Sequence, residues 1–230
     1  MLKINMVRAM ILVTTFSVLQ SAMAADSAPL TLKVNYQPAA CSVNLSNQQA
    51  DFGDISPQSL SNNATGTPLP PPNPVDISVI CSGEVAAAIM FVDHRKNSIA
   101  EGLNYIGPQG KLGNLGNLGK QQVFGLGTDS QGTAIGGWVP YLSQIIANGA
   151  PTNFGLINHD GQLDATVSQP SGKIMPSHGF TPVNHLAQVQ KFTQLNASMY
   201  AVSTINPVSK LSLRDEVRID GNITVQIIYL

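Results

Sequence analysis

The residues of this chain that could carry chemistry are few and widely spaced. None of its histidines lies in an HExxH pattern, in which two imidazoles on one face of a helix bind zinc. The aspartates in the same part of the chain do not follow the spacing of a calcium-binding loop. These residues are His94, His159, His178 and His185, with Asp93, Asp129, Asp160 and Asp164. The sequence therefore predicts no metal site.

Two glycine-containing segments fall short of nucleotide-binding motifs. Gly119-Lys120 lacks the glycine five residues earlier and the following Ser or Thr of a phosphate-binding loop. Gly125-Leu126-Gly127 is a fragment of a dinucleotide fingerprint without a βαβ pattern around it. The chain also lacks the Gly-x-Ser-x-Gly elbow that presents the serine of many hydrolases. We therefore predict that the protein is not an enzyme, has no catalytic residues and binds no cofactor.

The first 24 residues have the features of a secretory signal peptide. Lys3 and Arg8 precede an apolar run at residues 9–19, and Ala22-Met23-Ala24 supplies a small-x-small cleavage pattern. A membrane anchor is the alternative, but the run is shorter than the roughly 20 residues that span a bilayer. We expect cleavage after Ala24, and no membrane span in the exported protein.

Both cysteines, Cys41 and Cys81, lie in the exported part. An even number of cysteines in an oxidising compartment indicates a disulfide bond. Two free buried thiols or a metal-binding pair are the alternatives, although cysteines without nearby histidines make a poor zinc site.

The composition indicates a turn-rich, all-β secreted domain. Only 11% of the residues are charged, whereas the chain has 20 glycines and 15 prolines. The 12 basic and 13 acidic residues leave no basic excess for nucleic acid binding. Because no Pro/Gly boundary divides the chain into equal parts, we predict one domain over residues 25–230.

The last stretch of the chain specifies a strand with one buried face. Odd positions from Val217 to Tyr229 are apolar or Gly, and even positions from Arg218 to Gln226 are polar. Burial of one such apolar side chain contributes roughly 1.5–3 kcal/mol, so the face must be covered for the domain to be stable. The side chains expected on it are Ile223, Val225, Ile227 and Tyr229.

The middle of the chain gives weaker patterns. The nearly continuous apolar run at residues 85–92 predicts a central strand that is covered on both faces. Residues 97–185 are expected to form a long, loop-rich insertion. Within it, residues 141–148 suggest one or two helical turns, the Gly/Asn/Leu repeat at residues 111–120 suggests a loop, and residues 158–185 suggest an irregular surface segment.

The order of these features resembles the pilin subunits of chaperone–usher fimbriae. A signal peptide is followed by an alternating segment at residues 30–36, Cys41-Ser42-Val43-Asn44, Phe52-Gly53-Asp54-Ile55, a second cysteine and an alternating last strand with Tyr229 next to the end. The chain is most similar to the beta-fimbria major-subunit-like family, whose members carry a similar Phe-Gly-Leu-Gly segment, here residues 124–127.

The resemblance implies an immunoglobulin-like, pilin-type β-sandwich that lacks its last strand. A periplasmic chaperone would lend that strand, and an adjacent fimbrial subunit would replace it at the usher. By position, Ile223, Val225, Ile227 and Tyr229 would contact the chaperone or donor strand, and Cys41–Cys81 would tie early strands together. The implied function is that of a structural subunit in the periplasm or in a fimbrium at the cell surface, where fimbriae serve cell adhesion.

The sequence also departs from the family pattern. Only residues 25–29 lie between the expected cleavage site and the alternating segment, so this subunit is expected to accept a strand rather than donate one. The insertion is longer than in a minimal pilin. Two readings remain open: a terminal or minor subunit, or a self-contained periplasmic or surface module that binds a carbohydrate or protein receptor. Trp138, Tyr141 and Tyr105 are candidate stacking residues for the second reading, with core packing as the alternative.

Overall fold

The computed structural model describes Lys33 and residues 39–107, 114–212 and 218–230. The predicted signal peptide lies outside the described residues, and so does the alternating segment at residues 30–36 apart from Lys33. Within the chain, Pro38–Leu230 form one compact unit.

Strands account for most of the regular structure in the described residues, together with short 3₁₀ helices at Pro57–Ser59, Lys120–Gln122 and Val208–Lys210. The strands are β1 Cys41–Leu45, β2 Thr67–Pro68, β3 Val75–Val85, β4 Ala87–Asp93, β5 Asn104–Ile106, β6 Asn114–Asn117, β7 Phe124–Gly125, β8 Gly136–Ala147, β9 Ala150–Pro151, β10 Asn153–Asn158, β11 Leu163–Gln169, β12 Gly172–Lys173, β13 His178–Val183, β14 Phe192–Ile205 and β15 Ile223–Tyr229.

Two antiparallel sheets enclose the main core. The first sheet has the strand order β1-β3-β14-β8-β12, with the short strands β2, β7 and β9 paired at its margins. The second has the order β11-β10-β13-β4-β15. Side chains from both sheets, such as Leu142 and Leu195 of the first and Phe91 and Phe180 of the second, belong to one buried cluster. The all-β prediction is confirmed.

Strand β4, an inner strand of the second sheet, is buried on both faces, as the sequence predicted. Ala87, Ile89 and Phe91 of β4 point into the main core. Ala88 and Met90 point the other way and belong to a smaller cluster on the outer face, with Ile157 of β10. Ala87 through Phe91 are fully buried, because a strand that is covered on both faces buries odd and even positions alike.

The segment between β4 and β8 adds a third layer to the first sheet. β5 and β6 form a hairpin, and its Tyr105 packs with Val139, Tyr141 and Val202 on the sheet's outer face. The expectation of a loop at residues 111–120 is therefore wrong for Asn114–Asn117, which form β6. Gly116 lies within β6 beside an irregularity in the β5–β6 register, and its φ of 76° favours glycine, so this glycine of the repeat belongs to a strand and not to a loop.

The helical turns expected at residues 141–148 are wrong, because these residues belong to the long strand β8 and its end. A β-bulge places one extra residue in β8 opposite β14, and Gln144 takes a positive φ of 52° there. The bulge shifts the inward parity from Leu142 to Ile145 and Ala147. The resulting spacing of three mimics a helical period, although each half of the strand alternates.

The insertion carries more regular structure than expected. Residues 158–185 include β11, β12 and β13, and β13 lies at the centre of the second sheet between β10 and β4. Gly179 of β13 is needed because a Cβ atom at that position would overlap the carbonyl oxygen of Ile89. Glycine is present here because two strands approach each other closely, and not because the chain turns. The glycines of residues 158–185 were therefore misleading as a sign of irregular structure.

Candidate functional site

The strand predicted at the end of the chain is β15, an edge strand of the second sheet. Among the described residues it pairs with β4 alone. Ile223, Val225 and Ile227 pack against the main core while remaining partly exposed. Tyr229 was expected on the same buried face, but it is 56% exposed. It lies at the end of the strand, and its hydroxyl accepts a hydrogen bond from the backbone N–H of Cys41 at 2.9 Å.

The register of β15 fixes which backbone groups point away from β4. His94 N–H donates to the Asn222 carbonyl at 3.0 Å, and Leu230 N–H donates to the Ala86 carbonyl at 2.9 Å. Hydrogen-bonded pairs alternate in an antiparallel ladder, so the even residues from 222 to 230 face β4. The odd residues, Ile223, Val225, Ile227 and Tyr229, therefore direct their backbone N–H and C=O groups to the open edge.

The first sheet ends in a matching edge at β1. This strand pairs with β3 alone among the described residues, with Cys41 directly opposite Cys81. Ser82 N–H donates to Ala40 at 2.9 Å and Ser46 N–H donates to Asp76 at 2.9 Å, so the odd residues of β1 direct their backbone groups away from β3. The Cys41–Cys81 disulfide is present and joins the edge strand to its neighbour.

A groove lies between these two edges. It has a volume of about 840 Å³ and is lined mostly by apolar side chains from the main core. Its walls include Leu45 at the end of β1 and Ile223 and Val225 at the start of β15. At its other end, β1 and β15 meet through the Tyr229–Cys41 hydrogen bond. The groove is therefore widest where β15 begins, and it exposes part of the core between two strand edges.

Residues 47–60, called the covering segment below, lie along this groove. Ala50, Phe52, Ile55 and Leu60 pack against the main core and are partly buried, whereas the residues between them are exposed. With respect to the described residues, the covering segment makes hydrogen bonds only within itself. Examples are Gln49 N–H to Asn47 Oδ1 at 3.1 Å and Gly53 N–H to Asp51 Oδ1 at 2.8 Å. Within the part of the chain that the structure describes, apolar contacts therefore hold the covering segment against the groove.

Two buried polar atoms of the groove wall lack a hydrogen-bond partner among the described residues. They are Trp138 Nε1 and Ser203 Oγ. The two residues face each other across β8 and β14 and both line the groove. Trp138 is 6% exposed and Ser203 is fully buried. Neither atom has a hydrogen bond in the arrangement that covers it, and the burial of an unpaired polar group is energetically unfavourable.

Comparisons with protein-family models, with curated proteins and with solved structures find no match to this chain. The pilin resemblance therefore remains a prediction from the residues.

A polar cleft of about 570 Å³ lies beside the start of β15 and is structural in character. Arg95 forms an ion pair with Asp220 and donates from Nε to the Asp220 carbonyl at 3.1 Å. Asp93 accepts from the N–H groups of Arg95, at 2.7 Å, and Gly125, at 3.0 Å. Asp220 N–H donates to the Leu126 carbonyl at 3.0 Å. These contacts anchor the chain that leads into β15, and the sequence analysis did not find them because the partners are distant in sequence.

Asp129 fixes a loop in the same cleft. Its carboxylate accepts from the N–H groups of Ser212, Thr133 and Gln131. The bond from Ser212 is the largest of the causes that lower the pKa of this carboxyl, and burial opposes them. Both carboxylate oxygens of Asp129 thus accept hydrogen bonds from backbone N–H groups that hold the loop.

The other residues that could carry chemistry are not gathered into a site. Among the described residues, no three His, Cys, Asp or Glu side chains are placed to hold a metal ion. His94 Nε2 lies 2.7 Å from Thr224 Oγ1, and His178 Nδ1 lies 2.8 Å from Ser177 Oγ. Within the same residues, none of the helices has the length and hydropathy needed to span a bilayer.

The three candidate stacking residues are core aromatics. Tyr105 is fully buried, Trp138 is 6% exposed and Tyr141 is 9% exposed, so none presents an open ring face to solvent. Burial also raises the pKa of the Tyr105 hydroxyl well above its ordinary value. Core packing was the alternative from sequence, and it is confirmed.

Proposed function

We propose that this protein is a fimbrial or fimbria-like structural subunit of a chaperone–usher system, assembled by β-strand complementation in the periplasm. The observation that carries the proposal is the groove between the edges of β1 and β15. The odd residues of β15 combine two properties there. The side chains of Ile223, Val225 and Ile227 are apolar and pack towards the core, and the backbone groups of the same residues point to the open edge.

A strand of another polypeptide fits this arrangement. It would continue the second sheet beside β15 and pair with the backbone groups of Ile223, Val225 and Ile227. Its own alternate side chains would enter the groove beside Leu45 and Ile223. Each backbone hydrogen bond contributes about 0.5–1.5 kcal/mol net, and each buried apolar side chain about 1.5–3 kcal/mol. Backbone pairing gives affinity and the apolar side chains give register, which is the usual division in strand addition.

The partners follow from this mode of assembly. A periplasmic chaperone would supply the first strand, and the usher would exchange it for one from another fimbrial subunit. A host or surface receptor is a further candidate partner of a fimbria. The Cys41–Cys81 disulfide fits an oxidising compartment such as the periplasm or cell surface.

The alternative of a self-contained binding module has less support. It requires that the insertion at residues 97–185 supply the strand missing beside β15. The described strands of the insertion join the first sheet, the β5–β6 hairpin, and the centre and far side of the second sheet, and none of them pairs with β15. The aromatic residues that would have stacked on a carbohydrate are buried.

Capture by a chaperone tests the proposal. The exported chain would be expressed with a periplasmic chaperone of a chaperone–usher system, and the complex would be recovered through a tag on the chaperone. We expect Val225→Ser to reduce recovery at least about tenfold, since loss of 1.4 kcal/mol is tenfold in affinity. Gln226→Ser, on the opposite face of β15, is the matched control and should leave recovery unchanged. A wild-type chain that folds as a stable monomer and ignores the chaperone would contradict the proposal.

A further inference from the structure

We infer that the covering segment is an intramolecular competitor, which occupies the groove until a strand of another polypeptide displaces it. The inference rests on the proposed function, because it concerns how the same groove is regulated. Phe52 and Ile55 act as placeholders for the apolar side chains of the incoming strand. The partner is therefore an extended segment that brings both backbone pairing and apolar side chains.

The first argument is how weakly the covering segment is attached. It has no strand pairing, and with respect to the described residues its hydrogen bonds are internal. Its attachment consists of the partly buried side chains of Ala50, Phe52, Ile55 and Leu60. Segments with few buried apolar contacts and exposed backbone open locally at low free energy. Release of this segment breaks no ladder in either sheet.

The second argument concerns the polar groups of the groove that the covering segment does not bond to. It does not pair with the outward backbone groups of β15, and among the described residues no other strand pairs with them. Trp138 Nε1 and Ser203 Oγ stay buried in the groove wall without partners among the described residues. The covering segment thus contacts the apolar side chains of the groove, and with respect to the described residues it bonds to none of these polar groups. An incoming strand would also form hydrogen bonds with the backbone groups of β15. Its binding free energy would therefore be more favourable than that of the covering segment.

If the covering segment competes with the strand, removal of Phe52 should change the affinity for the strand in the opposite direction from that expected if Phe52 contacts the strand. If Phe52 helped to hold the incoming strand, its removal would weaken binding. If Phe52 holds the competitor, its removal raises the fraction of molecules with an open groove. The apparent affinity for a strand rises in proportion to that fraction while the fraction is small. Phe52→Ala should therefore tighten strand binding, by roughly tenfold for a side chain that is half-buried.

A fluorescence titration measures this effect. Trp138 is the only tryptophan of the chain and lines the groove, so its emission reports occupancy. The probe is a synthetic peptide with the sequence of residues 28–37, whose apolar residues alternate and which contains no tryptophan. A scrambled peptide that lacks the alternation serves as the control probe. Asp54→Ala, an exposed position between Phe52 and Ile55, is the matched control variant.

The outcomes separate the two proposals. Tighter binding by Phe52→Ala and Ile55→Ala, with Asp54→Ala unchanged, supports the competitor. Equal or weaker binding by Phe52→Ala and Ile55→Ala, while the wild type binds the peptide, overturns the competitor and leaves strand acceptance standing. No binding by the wild type or by either variant contradicts strand acceptance itself. Hydrogen exchange gives a second check without a probe: amides at residues 49–56 that are as protected as those of β14 would also overturn the competitor.

Discussion

The hydroxyl of Tyr229 accepts a hydrogen bond from the backbone N–H of Cys41 at 2.9 Å, and so the last strand is joined to the strand that carries the disulfide. This contact links the edges of the two sheets at one end of the groove. At the other end, Leu45 and Ile223 stand on opposite sides of open space. The groove therefore has a closed end at Tyr229 and Cys41 and an open end at Leu45 and Ile223.

Replacement of Tyr229 by Phe should remove this link and keep the ring. We expect the free energy of unfolding to fall by about 0.5–1.5 kcal/mol, the net contribution of one hydrogen bond. Chemical denaturation measures the change. Tyr200→Phe is the matched control, because the Tyr200 hydroxyl makes no hydrogen bond to the described residues, and it should leave the midpoint unchanged. Equal effects of the two variants would show that the Tyr229 link does not stabilise the fold.

Loss of the disulfide should destabilise the edge of the first sheet. Cys41 and Cys81 are separated by 40 residues, and a cross-link of this kind contributes about 2–4 kcal/mol. We predict that the Cys41→Ala/Cys81→Ala double variant unfolds at correspondingly lower denaturant, and that a reducing agent shifts the midpoint of the wild type alone. A double variant with the wild-type midpoint would mean that β1 is held by its ladder with β3 and not by the disulfide.

The pH dependence of stability should contain a contribution from Asp129. Its folded-state pKa is lowered, chiefly by the hydrogen bond from Ser212, so the unfolded state binds the proton more tightly. The stabilisation is complete above the unfolded pKa of roughly 4 and is lost as the pH falls through the lower folded value. Unfolding free energies measured between neutral pH and acid should therefore fall less steeply for Asp129→Asn than for the wild type. Asp160→Asn, at an exposed position, is the control and should follow the wild-type curve.

The Arg95–Asp220 ion pair should affect hydrogen exchange near the start of β15 more than the stability of the whole domain. Its side chains are 40% and 53% exposed, and an exposed ion pair contributes about 0.2–1 kcal/mol. We expect Arg95→Ala to change the unfolding midpoint little, and to raise hydrogen exchange at Asp220, whose N–H bonds to Leu126, and at the first residues of β15. Unchanged exchange there would show that the pair does not hold the entry to the strand.

Parts of the fold with a simple period could be predicted from sequence. The alternation that ends at Tyr229 predicted β15, and the continuous run through Ile89 and Phe91 predicted a doubly covered strand. These patterns can be read from consecutive residues, because each strand is buried on one face or on both faces along its whole length. The disulfide between Cys41 and Cys81 could also be predicted, because both cysteines lie in the part of the chain that is expected to be exported.

The rest depends on contacts that a local pattern does not encode. The bulge at Gln144 changes the inward parity of β8, so its hydrophobic spacing resembles that of a helix. Gly179 is small because Ile89 approaches it, not because the chain turns. The anchoring of Asp220 by Arg95 joins residues 125 positions apart. The place of the covering segment in the groove follows only from the tertiary structure.

Hydrogen exchange at single amides of β15 tests the central claim most directly. The claim is that the free edge of β15 accepts a strand from another polypeptide. In the free protein, the outward amides of Ile223, Val225 and Ile227 should exchange fast, while those of Thr224, Gln226 and Ile228, which face β4, stay protected. In complex with the chaperone, the three outward amides should become protected as well. Outward amides that are already protected in the free protein, or that stay fast in the complex, would contradict the account.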